Sequence, residues 1–267
     1  MNKKIFINDI VSCFEQIAPS YWQEDYDNAG LLVGNLDNEC YGILICLDVF
    51  ADTVKEAIRK KCNLIISHHP FIFRGIKKLL YNDETTEIIT LLLKNDIAVY
   101  SSHTNMDSCS TGVNYMLARE LDFESIIPLD NSRFSTEKKY FGNGAVGILK
   151  EKIQAVDFLS FVKERLSLKT LKYIGDECKI VEKVGICGGS GSFLIEKAIE
   201  KNCDIFLTGD LKYHEFLSHI GKIIIADIGH FESEQFIKQR IFDIISKRFT
   251  NFAPLYIAEE KNRIKIL

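Results

Sequence analysis

The chain has 267 residues, of which 46% are hydrophobic and 26% are charged, and its formal net charge is −4. This composition is that of a globular protein, and the length suits one large or two modest domains with a buried core. The acidic balance leaves no basic surface, which argues against direct binding to nucleic acid. No apolar run approaches the ~20 residues that cross a bilayer, so no membrane association is expected.

Cysteine usage and the N-terminal residues indicate a compartment. The eight cysteines form no Cys-x-x-Cys pair, and several lie inside or beside apolar runs. The first residues, MNKKIFINDI, have neither a long apolar core nor a small-residue cleavage site, so no signal peptide is predicted. Free thiols in a chain of this length fit a reducing compartment, and we expect the cytoplasm.

Strand-like apolar runs alternate with helical patterns. The first half of the chain has predicted strands at 41–48, 63–69 and 97–103, and predicted helices at 53–61, 85–95 and 111–122. Thr53 and Glu56 fit a capping box at the start of the first helix. Continuous apolar strands separated by helices predict an α/β fold with mostly parallel or mixed sheets flanked by helices.

A polar stretch, 130–144, interrupts this rhythm and is the best candidate for a domain boundary or a hairpin. After it the alternation of strands and helices resumes. The last long pattern predicts a single helix from about 230 to 248.

The second half of the chain repeats the first. ICLDVFADTVKEAIRKKCNLIISHH at 45–69 aligns with ICGGSGSFLIEKAIEKNCDIFLTGD at 186–210, an offset of 141 residues. At an offset of 127 residues, SSHTNMD at 101–107 aligns with residues 228–234 of the segment DIGHFESE at 227–234. We predict two related α/β units that arose by duplication, residues 1–127 and 128–267. The composition that all β-α units share is the alternative explanation.

Histidines are concentrated at the ends of the predicted strands. Four of the six occupy such positions: His68, His69, His103 and His230. Ligands of open α/β sheets bind beyond the carboxyl ends of the strands. A carboxylate follows four residues after two of these histidines, as Asp107 and Glu234. If a helix begins at residue 230, His230 and Glu234 share one of its faces.

These donors point to a metal. Imidazole and carboxylate without thiolate fit Zn, Fe, Mn, Ni or Co at a catalytic site and fit structural zinc poorly. Neighbouring strand residues point to opposite faces, so the rings of His68 and His69 should diverge even though Pro70 ends the strand. One ring would then serve each of two ions, and Asp107 and Glu234 could bridge ions about 3.5–4 Å apart. A solvated His–Glu pair and a hydrogen-bonded His–His pair are the alternatives without metal.

Two further motifs are less specific. CGGSGS at 187–192 could hold an anion on free backbone N–H groups, or it could form a plain tight turn. TGDLKYHE at 208–215 places Asp210, Lys212 and His214 just after a strand, where they could face the same cleft or begin a solvated helix.

Six motifs occur in an order that carries a family resemblance: DNAGLLVG, SHHP, SHTNMD, CGGSGS, TGDLKYHE and GHFESE. Over about residues 5–260 the chain resembles the GTP cyclohydrolase I type 2 family, also called the NIF-three-like or dinuclear-metal-centre hexameric family. The resemblance implies two intertwined α/β units, a toroidal homohexamer and two divalent metal ions per subunit. The family's ligand pattern falls on His68, His69, Asp107, His230 and Glu234, and it places His103 beside the metals in an acid–base role.

The resemblance also implies a function. It indicates a metal-dependent hydrolase that acts on a nucleotide-like substrate, and the family name indicates opening of the imidazole ring of GTP with release of formate. His103 would then shuttle protons. The position of Lys212 and His214 just after a strand, and not the resemblance, suggests that they meet the phosphates. Two alternatives stay open: a metal-handling or regulatory protein without turnover, and a transcription or nucleic-acid partner, against which the acidic balance argues.

Overall fold

The computed structural model describes residues 4–132, 141–252 and 254–267. The core of the predicted boundary or hairpin at 130–144 lies outside these residues. Two compact units are present. The first comprises the chain up to Met106 together with Ile237–Lys261, and the second comprises Asp107–Phe236 together with Asn262–Leu267. The division at 127/128 that the repeat suggests stays a prediction.

Helices and strands alternate through most of the chain. The elements up to residue 130 are α1 (Ile7–Ile17), β1 (Gly30–Val33), β2 (Ile43–Cys46), α2 (Ala51–Arg59), β3 (Leu64–Ser67), α3 (Glu84–Lys94), β4 (Ala98–Ser101), α4 (Thr104–Asp107), α5 (Val113–Glu120) and β5 (Glu124–Asp130). Those that follow are β6 (Asn143–Gln154), α6 (Ala155–Arg165), β7 (Lys172–Ile174), β8 (Ile180–Ser190), α7 (Ile195–Glu200), β9 (Ile205–Gly209), α8 (Tyr213–Leu217), β10 (Ile224–Asp227), α9 (His230–Glu234), α10 (Ile237–Arg248) and β11 (Leu255–Ile257). None of the described helices is long and apolar enough to cross a membrane.

The first unit contains a five-stranded sheet with the order β1-β4-β3-β2-β11. Its neighbours are parallel except at the edge, where β1 runs antiparallel to β4. Every residue of β2, β3 and β4 is buried, as expected for parallel strands that are covered on both faces. Val54 and Ala57 of α2 and Leu92 of α3 pack with sheet residues in one apolar cluster.

The second unit contains a six-stranded mixed sheet with the order β5-β6-β8-β9-β10-β7. Only β8, β9 and β10 are parallel neighbours. Side chains of β9 alternate between two apolar clusters: Ile205 and Leu207 join one, with Phe158 of α6, and Phe206 joins the other, with Ala198 of α7. The period of two along a strand therefore gives this sheet a core on each face.

The two sheets share a topology and a register. Ile45 of β2 lies opposite Ile66 of β3, and Ile186 of β8 lies opposite Leu207 of β9. Each of these pairings is displaced by the offset of 141 residues that the sequence alignment gives. In each sheet an antiparallel strand pairs with the last of the parallel strands: β1 pairs with β4 in the first sheet, and β7 pairs with β10 in the second. The prediction of two related α/β units with mixed sheets flanked by helices is confirmed.

Two local predictions are wrong. Helix α2 begins at Ala51, and Thr53 is its third residue, whose hydroxyl accepts the Phe50 N–H at 3.3 Å. Glu56 is therefore not a capping residue, and it pairs with Lys60 at 2.7 Å. The predicted helix 230–248 is divided into α9 and α10. The division coincides with the passage of the chain from the second unit to the first, between Phe236 and Ile237.

Candidate metal centre

Three histidines of the first unit form a cluster at the carboxyl end of its sheet. His68 and His69 directly follow β3, and His103 follows the adjacent parallel strand β4, in which Ser101 lies opposite Ser67. One nitrogen from each ring lies within 4.8 Å of the other two, a spacing that could hold a metal ion. His68 is fully buried, and His69 and His103 are partly buried.

The expected divergence of the His68 and His69 rings is wrong. Their ring centroids are 4.9 Å apart with an interplanar angle of 44°. Strand β3 ends at Ser67, so neither histidine is held in the alternating geometry of a strand. The Ser67 hydroxyl donates to the His69 carbonyl at 2.8 Å and folds the chain into a turn that brings both rings to one side.

An acceptor holds the same nitrogen of each ring in this cluster. Nδ1 of His68 donates to the Ser102 carbonyl at 2.9 Å. Nδ1 of His69 donates to Asp48 Oδ1 at 2.9 Å, and Nδ1 of His103 donates to Asp27 Oδ1 at 2.7 Å. A neutral imidazole with its proton on Nδ1 has its lone pair on Nε2, the nitrogen that is then available to a metal.

Asp27 is fixed as a carboxylate. Burial raises its pKa, but hydrogen bonds from His103 and Thr104 outweigh burial and lower the pKa to about 2. The second carboxylate oxygen accepts the Thr104 N–H at 3.1 Å, at the first residue of α4. One side chain therefore orients the His103 ring and begins the helix that follows it.

Asp48 is held by the last part of the first unit. The N–H groups of Leu47 and Asp48 donate to the Glu260 carboxylate at 2.8 and 3.0 Å. Lys238 of α10 forms an ion pair with the same carboxylate at 3.1 Å, and both side chains are nearly buried. The backbone that presents Asp48 to His69 is thus fixed by an internal charge pair.

The second unit holds a histidine between two carboxylates. His230 opens α9, as predicted, and its Nε2 lies 3.0 Å from Glu234 Oε2 one turn later. Its Nδ1 lies 2.7 Å from Asp210 Oδ2. Burial lowers the pKa of His230, but the hydrogen bonds to Asp210 and Glu234 outweigh burial and raise it to about 11. A divalent ion bound by Nε2 would take the place of this proton.

Glycines allow β8 to approach α9 closely. Gly189 has a positive φ of +63°, and a Cβ there would overlap Oε1 of Glu234. The Gly189 N–H donates to the Ser233 hydroxyl at 3.0 Å. Gly189 of the motif CGGSGS therefore makes room for the Glu234 carboxylate. The sequence alone suggests an anion-binding loop or a plain tight turn for this motif.

Asp107 is the last residue of α4 and is partly buried. Its carbonyl accepts Asn114 Nδ2 at 3.2 Å, and Asn114 Oδ1 accepts the Gly188 N–H at 2.9 Å. The backbone of Asp107 is thus anchored to the end of β8. Cys187 lies nearby, and burial, followed by the charges of Asp107 and Glu234, raises the pKa of its thiol well above the usual range. The Cys187 thiol therefore stays protonated and does not serve as a thiolate ligand for a metal.

Two predicted substrate residues lie at the start of α8. Lys212 and His214 are exposed, and their assignment to the phosphates stays a prediction. The sequence motifs do not single out Asp27 and Asp48 and leave Asp210 without a role, although these three carboxylates hold His103, His69 and His230. The signal for Asp27 was its place in DNAGLLVG, and the signal for Asp210 was its alignment with His69.

The donor set fits divalent transition metals. Four imidazoles are anchored through Nδ1, three of them by carboxylates, in the arrangement that metal-binding histidines adopt. The neighbouring donors are carboxylates, which suit a catalytic site and not a structural zinc site. The fold and these clusters define a two-sheet α/β protein with histidine and glutamate groups that could bind metal.

Residues 5–262 match the family Duf34/NIF3 (NGG1p interacting factor 3), and the chain belongs to it. Curated relatives include the "GTP cyclohydrolase 1 type 2 homolog" of Clostridium perfringens, which is 33% identical over 256 residues and covers 95% of this chain and 96% of its own. The relative of the same name from Lactococcus lactis is 35% identical over an alignment 269 positions long, and the alignment covers 96% of each chain.

Solved structures share the fold. The Staphylococcus aureus hypothetical protein SA1388 superposes with a TM-score of 0.90 at 26% identity, covering 99% of this chain and 100% of that chain. A Bacillus cereus protein related to NIF3 superposes with a TM-score of 0.89 at 22% identity and covers 100% of both chains. The recognised family and the two-sheet fold are therefore confirmed.

Proposed function

We propose that this protein is a dinuclear-metal-dependent hydrolase that acts on a nucleotide-like substrate. Its metal ligands would be His68, His69, Asp107, His230 and Glu234. The observation that carries the proposal is the shared anchoring of the histidines: each one donates Nδ1 to a fixed acceptor, so Nε2 is the nitrogen that would bind a metal. Helix α4 adds to this, since it places Asp107 one turn after His103.

The chain's own groups would orient the substrate and move protons. Two bound ions would supply a water of lowered pKa and polarise the attacked centre. Asp27 fixes His103 through Nδ1, so proton exchange with the substrate would occur at Nε2. Because Asp27 stays ionised, it would stabilise the imidazolium that forms when His103 takes up a proton.

The names of the relatives support a specific reaction. Several are called GTP cyclohydrolase 1 type 2 homolog, which favours opening of the imidazole ring of GTP with release of formate. We propose in addition that the protein is a cytoplasmic homohexamer, as the family resemblance implies.

Metal analysis and a substrate screen test the proposal. The protein is purified without a metal-binding tag, analysed for its metals, reloaded, and incubated with GTP and other nucleotides while formate and phosphate are followed. We expect about two ions per chain and formate from GTP. Two ions without release of either product would favour the metal-handling or regulatory alternative. A chain that retains no divalent ion would contradict the metal centre itself.

A further inference from the structure

Two adjoining cavities lie in the second unit, one of them beside Asp107. The first has a volume of about 390 Å³, and its walls include Asp107, Ser110, Thr111, Tyr115, Ile127 and Phe141. The second has a volume of about 410 Å³, and its walls include Arg119, Asp122 and Lys150. Tyr115 and Ile126 line both cavities and form the ridge between them.

The first cavity has the lining of a site for an uncharged ring. Its polar side chains are hydroxyls, the Cys109 thiol and the Asn114 amide, and Asp107 is the one formally charged side chain among its described lining residues. The Tyr115 and Phe141 rings and the Ile127 side chain, which is 45% exposed, give it apolar surface. Small-molecule sites combine such surface with a few fixed polar groups, and about 300–1,000 Å³ is their usual volume.

Hydrogen bonds between its walls hold the first cavity in shape. The Gly142 N–H donates to the Ser108 carbonyl at 3.0 Å, and the Ser108 hydroxyl donates to Asn143 Oδ1 at 3.0 Å. A Cβ on Gly144 would come within 2.8 Å of the Ile186 carbonyl, so this wall needs a glycine. A cavity whose walls are already fixed loses little entropy when a ligand enters.

The second cavity has the charges of a phosphate site. Arg119 and Lys150 are exposed, and in the described part of the chain neither takes part in an ion pair. The guanidinium carbon of Arg119 lies 6.0 Å from the centre of the Tyr115 ring, so the two cavities meet at this side chain. Two cations outweigh the single carboxylate of Asp122, and guanidinium binds phosphate oxygens through paired hydrogen bonds.

We propose that these two cavities together bind a nucleotide, with its base beside Asp107 and its phosphates between Arg119 and Lys150. This inference rests on the proposed function, and it adds an orientation to it. The base would lie on the side of the proposed metal ligand Asp107, where hydrolysis of a base must occur. The phosphates would be directed away from it, and Arg119 and Lys150 would replace Lys212 and His214 as their partners.

Binding measurements on the full-length, metal-loaded protein test the orientation with three probes: GTP, guanosine and inorganic tripolyphosphate. Arg119→Ala and Lys150→Ala should each weaken GTP and tripolyphosphate binding by about tenfold, the effect of one lost charge-assisted hydrogen bond, and leave guanosine unchanged. Ser110→Phe should weaken the binding of GTP and guanosine and leave tripolyphosphate unchanged, because it fills the base cavity. Where that variant lowers the melting temperature, the exposed position Ile127→Asp gives the same test. Lys169→Ala, an exposed lysine outside both cavities, is the control.

Three results would overturn the binding surface. These are wild-type binding in all four variants, no wild-type affinity for guanosine or tripolyphosphate, and a loss of tripolyphosphate binding in Lys212→Ala or His214→Ala instead. Formate release separates this inference from the proposed function. If the variants bind as expected but the wild-type protein releases no formate, the hydrolase is contradicted and the proposed nucleotide-binding surface is not. If formate is released with an unchanged KM in every variant, only the binding surface is contradicted.

Discussion

Gly189 lies so close to Glu234 that a methyl group on the glycine would overlap the Oε1 carboxylate oxygen. The same methyl group would come within 3.3 Å of His230 Nε2. A residue with no chemistry of its own thus sets the space around two proposed metal ligands. The position also requires φ = +63°, a conformation that side chains other than glycine adopt at a cost.

Gly189→Ala should therefore lower metal content without removing a ligand. The added methyl group displaces the Glu234 carboxylate, and we expect less than half of the wild-type metal by elemental analysis. Gly221→Ala is the matched control, since Gly221 has a φ of +76° and nothing within 4 Å of its added Cβ. Both variants should lose about 1 kcal/mol of stability from backbone strain. Equal metal content in the two would contradict a role for this close approach.

The proposed carboxylate ligands can be removed directly. Asp107→Ala and Glu234→Ala should each reduce bound metal below half of wild type, because a ligand carboxylate contributes charge as well as a bond. Glu232→Ala is the control. Glu232 lies on the same helix but is not a proposed ligand, and its carboxylate accepts a hydrogen bond from Asn262 at 2.8 Å. Unchanged metal in both ligand variants would contradict the two-metal centre.

Asp48, which accepts the hydrogen bond from His69 Nδ1, should affect metal affinity without binding the metal itself. Asp48→Asn can still accept a hydrogen bond from Nδ1, but it loses the charge that makes the imidazole more basic. Replacement of such partners typically weakens metal binding by about 10–100-fold. Competition with a chelator measures this change, and Asp52→Asn, an exposed acid at the start of α2, is the control. The same affinity in both variants would show that Asp48 only fills space.

Asn63 and Asp204 occupy equivalent positions in the two sheets and bind equivalent backbone groups. Asn63 Oδ1 accepts the Tyr41 N–H at 3.0 Å, and Asp204 Oδ2 accepts the Glu182 N–H at 3.0 Å. Asp204 also accepts the Lys183 N–H at 2.9 Å. Burial raises the pKa of Asp204, but these hydrogen bonds and Lys179 outweigh it and lower the pKa.

Asp204→Asn should destabilise the protein by about 1 kcal/mol at neutral pH, since an amide replaces a carboxylate acceptor. A lowered folded-state pKa stabilises the native protein above the unfolded pKa of about 3.9, and this stabilisation is lost as the pH falls through the folded value. The difference between the two proteins should therefore shrink below about pH 4. Urea unfolding at pH 7 and at about pH 3 measures it, and an equal difference at both would contradict the ionic contribution.

Positions along the chain were predictable where local pattern decides them. The apolar strands that precede His68, His103 and His230 were recognisable because parallel strands are buried throughout and the change to polar residues marks their ends. The one-turn spacing of His230 and Glu234 was predictable because it depends only on the pitch of a helix.

Contacts between distant parts of the chain were not predictable in this way. Asp27 meets His103, and Asp48 meets His69, only because the fold brings separate loops together. The start of α2 was misplaced because Thr53 can serve as a first or a third helical residue, and the sequence does not distinguish these roles. The shared turn of His68 and His69 depends on the Ser67 hydroxyl, which a strand pattern does not reveal.

Glu260 and Lys238, which fix the backbone next to Asp48, have a consequence for biosynthesis. The first unit needs α10 and β11, yet the ribosome makes these only after the whole of Asp107–Phe236. Until then β2 has an open edge and the Leu47 and Asp48 N–H groups lack their carboxylate. The nascent first unit, including the backbone beside its histidine cluster, therefore stays incomplete until Ile237–Lys261 have been made.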